Sequence, residues 1–482
     1  MSARTGAEYL EGLRDSREVW IGGERVADVT LHPGLARGAR SLARLMDRQH
    51  EPGTADVLTA TSPATGDRIP ASHLRPTNAD ELRLRQAAML DWARASAGMM
   101  GRSPDYLNSN LMAMAAASAY FAAVRPEFGV NIAAYADYVR ENDLVLTHTL
   151  LNPTVSRRMA DRGIQPEGVA LQQVGETSSG IVVRGARLLA TLGPLSDEIL
   201  VFPSTARKGD PSDHRFALGF AVANDTRGLK YLCRDSYDTG KSVFDAPLSS
   251  RYEEMDCVVV FDDVVVPWER VFLMGDQAAA NNAYAATGAV VHMMHQVACK
   301  NLAKAEFIVG LLCAMTASSE RDTSPVVQGQ IAEAMMYAET MRAALTAAMA
   351  DAAPDEWGTF SPARMPLDTA RNVFPRMYPR MVEIVQLLGS SSLMATPSEA
   401  DFNAPIASQI LQYLQAATLD ARDRVALFRL AQDVAVSGFG ARQALYERFF
   451  FGPPEVMASV YFASYDKAPL VGRVWDLLRQ KD

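Results

Sequence analysis

Three short stretches carry residues whose types and spacing could do chemistry. In MMGRSPDYLN, Met99–Asn108, Ser103 and Pro104 form a helix-start signal: a hydroxyl N-cap, then a proline in the first turn. Arg102 stands just before that cap, against the positive end of the helix dipole, where a cation costs on the order of a few tenths of a kcal/mol. Its position calls for an anion, and Tyr106 in the first turn is close enough to share one. In LVLTHTLLNPTVSRR, His148 falls where helical texture gives way to β texture. Two readings of it stay open, a buried hydrogen-bonded histidine or an acid–base group in a cleft between domains. In SGFGARQALYERFF, Gly438 and Gly440 allow close backbone approach beside Arg442, which suits a pyrophosphate or a subunit contact.

Other candidates read more plainly. Thr191, Ser204 and Thr205 lie near strand ends, where hydroxyls usually serve turns. His292 and His295 stand at i and i+3 with Cys299 one turn on, a spacing read as a helix face packed on neighbours rather than a metal site. His32, His50, His73 and His214 complete the histidines.

The elements that must position these groups follow from periodicity. The first 150 or so residues read mainly as helix, apart from a hairpin in REVWIGGERV that turns at Gly22 and Gly23. NADELRLRQAAMLDWARAS opens on Asn78 with Glu81 three residues on, a capping box, followed by an apolar stripe of Leu82, Met89 and Trp92. From about residue 165 to 275 come short β-branched runs between Gly, Pro and Asp turns, among them LLATLGPLSDEILVFPST and YEEMDCVVVFDDVVVPWERVF. No helical period separates them, so an antiparallel sheet or small barrel is expected and a doubly wound sheet is disfavoured. After about residue 280 four long runs of period 3.6 return, the last being DARDRVALFRLAQDVAVSGFGARQALYERFF, enough for a bundle. The chain therefore divides into a helical region (1–150), a β region (151–278), a helix bundle (279–460) and a tail (461–482). The fold class is mainly α with a central β domain.

Composition narrows the function. A chain of 482 residues, 48% hydrophobic and 21% charged, is globular and too long for one core. A net charge of −9 argues against a dedicated nucleic-acid binder and suits a soluble cytoplasmic enzyme. The four cysteines are scattered without a CxxC pair, a reduced, metal-free pattern. The polar, amphipathic opening is not leader-like. The longest apolar run, FIVGLLCAM, is far short of a membrane span. GxGxxG after a strand, GxxxxGK[ST], HExxH and GxSxG are all missing, so any cofactor must be held another way.

Seven blocks in order, RTGAEYLEGLRDSREVWIGGERV, GRSPDYLN, THTLLNPTVSRR, LLATLGPLSDEILVF, VVVFDDVVVPWERVF, SLMATPSEADF and FGARQALYERFFFGPP, span about residues 4 to 465. Together they resemble the family of 4-hydroxyphenylacetate 3-monooxygenase oxygenase components. The resemblance implies an acyl-CoA dehydrogenase-like fold: a helical N-domain, an antiparallel β-barrel middle domain and a C-terminal four-helix bundle, assembled as a homotetramer. It implies reduced FAD supplied by a separate NAD(P)H-dependent reductase and oxygen activated as a flavin C4a-hydroperoxide. The reaction implied is hydroxylation of a para-substituted phenol, free or carrier-bound, ortho to its OH, giving a catechol. Arg102, Tyr106 and His148 match the family's phenol-binding trio, His148 as a histidine of near-neutral pKa sharing the phenolic proton. For the flavin the resemblance points to His148, Thr149, Leu150, Thr154, Val155, Ser156, Arg157, Thr191, Gly440, Ala441, Arg442 and Gln443. Arg157 and Arg442 have the character a pyrophosphate needs. Ser204 and Thr205 match contacts to the substrate tail, and the following ARKGDPSDH an entrance flap.

Two relatives of the superfamily offer alternatives. Its CoA-ester dehydratases and isomerases hold an iron–sulfur cluster through three cysteines and a histidine. The matching stretch here, MMGRSPDYLN, has no cysteine, and His292 with Cys299 cannot hold a cluster alone. An acyl-CoA dehydrogenase-type flavoenzyme with a glutamate base, or a non-catalytic scaffold, would leave Arg102, Tyr106 and His148 without a purpose.

Overall fold

Asn78 caps the helix Ala79–Ala95 as its type requires, its side-chain oxygen accepting from the amides of Asp80 and Glu81, both at 3.0 Å. Glu81 does not close a box on Asn78 but reaches Thr77, accepting from its amide at 2.6 Å and its hydroxyl at 2.9 Å. The computed structural model describes residues 3–160, 162, 164–204 and 213–479, so Thr205 and most of the flap segment lie outside the described residues. Helices Pro104–Ala116 and Pro126–Glu141 complete the N-terminal layer. The first is buried along nearly its whole length and packs on both the long helix Ala289–Ala317 and the strand Leu146–Thr149.

The β region is two sheets. One orders Glu24–Arg25, Glu18–Ile21, Leu229–Cys233, Asp256–Pro267, Gly180–Thr191 and Gln172–Glu176; the other orders Val271–Met274, Leu218–Ala223, Glu198–Val201 and Leu146–Thr149. The antiparallel expectation needs two corrections. Glu18–Ile21 pairs in parallel with Leu229–Cys233, and Leu146–Thr149 in parallel with Glu198–Val201. Glu18–Ile21 is a strand of the expected hairpin and Leu146–Thr149 closes the stretch read mainly as helical; a parallel partner must be delivered by a long crossover, which local periodicity cannot reveal. The hairpin does turn at Gly22 and Gly23, whose φ of +60° and +86° are left-handed values that glycine adopts without strain.

Helices Ala289–Ala317, Pro325–Ala350 and Arg364–Gly389 pack mutually in the C-terminal bundle, with Ala421–Ala435 against them. The single long helix expected last is broken in two. Ser437 caps a new helix, Gly438–Phe449, accepting from the Gly440 amide at 3.0 Å. The tail starts inside Pro454–Ser464 and ends in Ala468–Arg479, where Leu470, Val471, Val474, Trp475, Leu477 and Leu478 are all exposed. Among the described residues no helix is long and apolar enough to cross a membrane.

Candidate active site

Alternation along the strand Leu146–Thr149 decides where His148 points. Thr147 and Thr149, on one face, donate their hydroxyls to the carbonyls of Thr191 (2.7 Å) and Leu188 (2.8 Å), fastening this strand to Gly180–Thr191. His148 therefore faces the other way. It is buried, its ring lies edge-on to Tyr106 with centroids 5.7 Å apart, and its Nδ1 has no hydrogen-bond partner. Burial, and after it the Arg102 charge, hold the imidazole well below its ordinary pKa. His148 is thus a neutral base, not the near-neutral titrating group the sequence suggests.

Pro104 starts its helix where expected, but Ser103 makes no side-chain cap; its hydroxyl donates to Asp105 at 2.6 Å instead. An anion does meet the helix start. Glu254 accepts the Arg102 amide at 2.7 Å. The guanidinium itself receives no carboxylate among the described residues. It lies 4.4 Å from the Tyr106 ring centroid and 4.3 Å from that of Phe450, and Nη1 donates to the Tyr446 hydroxyl at 2.8 Å. Its Nε is buried without a partner. Aromatic faces attract a cation while leaving its in-plane donors open to an anion. Burial raises the Tyr106 hydroxyl above its usual pKa despite Arg102, so Tyr106 is a proton-bearing donor.

A cavity of about 780 Å³ opens beside these groups. Arg102, His148, Leu150, Thr191, Ser204 and Arg442 all line it, so residues 340 positions apart in sequence share one wall. Leu188, Leu189, Leu232, Leu445 and Phe449 make most of the rest apolar, and several of them are exposed at its mouth. A space of this size and polarity fits a tricyclic ring and a small aromatic substrate. Cys233 and Cys257, cross-strand partners, bring their sulfurs within 3.2 Å in the same wall.

Other predicted residues fall elsewhere. Thr154, Val155 and Ser156, with Ser204, line a smaller adjoining cavity of about 50 Å³. Arg157 opens the short helix Arg157–Ala160. Ala441 is exposed, while Gln443 is buried between Lys304 Nζ, from which it accepts at 2.8 Å, and the Met99 carbonyl, to which it donates at 2.9 Å. Arg442 is already neutralised. Nε and Nη2 donate to Asp256 at 2.9 and 2.8 Å, and Nη1 to Glu254 at 3.1 Å. That pairing holds Asp256 well below the usual carboxylate range. Gly440 is needed for packing, since a Cβ there would run into the Val434 carbonyl. Gly440→Ala should therefore cost about 2–4 kcal/mol, read as a fall in Tm of the flavin-free protein. An unchanged Tm would return Gly440 to a purely ligand-facing role.

Tyr446, Phe450 and Glu254 were missed in the sequence. Tyr446 follows Arg442 by one helical turn, a spacing that could have marked it, whereas Glu254 reaches Arg102 across 152 positions and had no local signal. His292 and His295 bond neighbours. The Nε2 of His292 is 3.0 Å from the Ser361 hydroxyl, and that of His295 is 2.9 Å from Gln86 Oε1.

Comparison with known proteins shows the family. Residues 5–273 match the family described as 4-hydroxyphenylacetate 3-hydroxylase N terminal, and residues 280–479 its C-terminal counterpart. A 4-hydroxyphenylacetate 3-monooxygenase oxygenase component from Geobacillus sp. (strain PA-9) is 45% identical, covering 99% of this chain and 97% of that protein. A crystal structure of such a component, complexed with FAD and 4-hydroxyphenylacetate, superposes with a TM-score of 0.95 at 46% identity, covering 99% of this chain and 98% of that one. Butyryl-CoA dehydrogenase from Megasphaera elsdenii shares the fold alone, with a TM-score of 0.52 at 15% identity over 95% of this chain and 97% of that one. The chain belongs to the 4-hydroxyphenylacetate 3-hydroxylase family, built on the acyl-CoA dehydrogenase-like fold.

Proposed function

We propose that this chain is the oxygenase component of a two-component flavin monooxygenase that hydroxylates a para-substituted phenol ortho to its OH, giving a catechol. The observation that carries the reading is the Arg102 guanidinium, stacked on rings without a carboxylate, beside a neutral His148, the two lining one cavity. Arg102 and Tyr106 hold the phenolic oxygen, one by charge and one by a donated hydrogen bond. His148 accepts the phenolic proton on its neutral imidazole, and the resulting phenolate makes the ring a better nucleophile at its ortho carbon. The apolar walls exclude water around that charge.

The cavity fits the isoalloxazine of FAD, with His148, Leu150 and Thr191 along it. When bound in reduced form, that group supplies the two electrons that activate O2. Thr149 contributes by fixing the strand, and Thr154, Val155 and Ser156 extend the wall. Arg442 supports the site from behind through Glu254 and Asp256, and Gly440, Ala441 and Gln443 through the packing of its helix. Ser204 flanks the substrate tail. The reduced flavin comes from a separate NAD(P)H-dependent reductase. The exposed apolar face of Ala468–Arg479 and the exposed Leu189, Leu232, Leu445 and Phe449 support a homotetramer whose other copies cover them.

The test supplies chemically reduced FAD, 18O2 and 4-hydroxyphenylacetate to the purified protein. The expected product is a catechol carrying one 18O, with no reductase present. Tightly held oxidised FAD that is bleached by an acyl-CoA ester, with no catechol formed, would overturn the reading.

A further inference from the structure

Two thiols in the wall of the large cavity are built as a pair. Cys233 ends the strand Leu229–Cys233, and Cys257 stands directly opposite it near the start of Asp256–Pro267. The neighbouring position carries the ladder bond, the Arg234 amide donating to the Asp256 carbonyl at 3.2 Å. Cys233 and Cys257 are therefore a non-hydrogen-bonded pair, the closer kind, with Cα atoms about 4.5 Å apart. That separation falls within the roughly 4.4–6.8 Å that a disulfide spans. Side chains directly opposite in a ladder leave the sheet on the same face. The two sulfurs, both free thiols, lie 3.2 Å apart.

Both cysteines line the cavity of about 780 Å³ that Arg102 and His148 also line. Cys257 is buried and Cys233 half-buried. Burial holds the Cys257 thiol well above its ordinary pKa, so the more exposed Cys233 is the sulfur that reacts first. The other two cysteines have no such arrangement. Cys299 and Cys313 sit on the single helix Ala289–Ala317, roughly 21 Å apart along its axis.

We propose that Cys233 and Cys257 are an oxidation site of this protein, a cross-strand dithiol that hydrogen peroxide converts to a disulfide in the cavity wall. The Cys233 sulfur attacks peroxide, breaking the O–O bond to give a sulfenic acid and one water. The Cys257 sulfur then displaces the hydroxyl, forming the S–S bond and releasing a second water. The two thiols lose two electrons and two protons, and one peroxide becomes two waters. Without its partner, a sulfenic acid goes on to sulfinic and sulfonic acids, which thiols do not reverse. The pair thus confines oxidation at the cavity to a step that a thiol reductant undoes. Reduced flavin and O2 yield hydrogen peroxide there when no phenol is present. That source rests on the hydroxylase reading; the bond itself does not.

The experiment treats the purified full-length protein with a small molar excess of hydrogen peroxide, alkylates the remaining thiols and digests without reduction. Mass spectrometry then maps the four cysteines. The expected product is a peptide pair cross-linked through Cys233 and Cys257. Both should escape alkylation about tenfold faster than Cys313, which is also half-buried but unpaired. Dithiothreitol should return both thiols. In Cys257→Ala the same treatment should leave Cys233 as a sulfinic or sulfonic acid that dithiothreitol does not reverse. Four alkylated cysteines in wild type, a disulfide between chains, or an oxidised Cys233 beside a free Cys257 would each overturn the proposal. The readout needs no catechol, so it stands or falls apart from the hydroxylase reading.

Discussion

Arg102→Met should abolish catechol formation, by about a hundredfold or more, without lowering stability. The guanidinium is held by rings and the Tyr446 hydroxyl, with Nε unpartnered, so an unbranched apolar side chain loses no ion pair and relieves a partly buried charge. Its removal takes away the positive charge that stabilises the phenolate. His148→Asn should act on the same step by removing the imidazole acceptor, a loss of roughly 100- to 10,000-fold for a general base. The two effects should not add, because both groups serve one proton transfer. Oxygen consumption with hydrogen peroxide release should continue in both variants, so hydrogen peroxide formed per catechol is the measurement to make. Because burial keeps His148 neutral, wild-type kcat/KM should show no inflection from it between pH 6 and 8. Wild-type catechol yield from either variant would remove the assigned roles.

How much of this site could be read in the sequence depends on the distance each signal spans. Arg102 and Tyr106 were visible because a cation before a helix cap is locally unfavourable, and a local conflict asks for a functional reason. His148 was placed by the change of texture around it, but its neutrality is a property of burial that only packing creates. The same limit hid the guanidinium's surroundings. Tyr446 and Phe450 come from the broken last helix, and the break itself comes from Ser437 capping and from Gly440 meeting the Val434 carbonyl. Arg442 shows the converse limit. Its type and glycine neighbours suggested a phosphate, yet Asp256 and Glu254 lie 186 and 188 positions away and already neutralise it. Both parallel strand pairs were likewise beyond reach, since their partners are joined only through the fold.

Acid should destabilise this protein unusually steeply, and the cause is a set of buried neutral histidines. His73 and His295 are held down at about 3, and His292 and His148 well below the ordinary imidazole value. Burial is the main cause in each. The buried Arg85, whose Nη1 lies 3.3 Å from His292 Nδ1, adds repulsion to His73, His292 and His295. In the unfolded chain all four take up a proton near pH 6.5, whereas the native protein takes up none until the pH falls much further. The unfolded state therefore binds more protons, and stability is lost as pH falls below about 6.5. Asp105 opposes this. Burial pushes its carboxyl up to about 6, so the native state gains one proton there. Near pH 6 the net excess is between two and three protons, about 3 kcal/mol per pH unit. The measurement is Tm against pH from 7.5 to 5.5 for wild type and His73→Leu. His73 Nε2 has no partner, so the apolar replacement breaks no hydrogen bond there. The variant's slope should be shallower by about one proton, roughly 1 kcal/mol per pH unit; parallel curves would show that His73 is charged in the folded state after all.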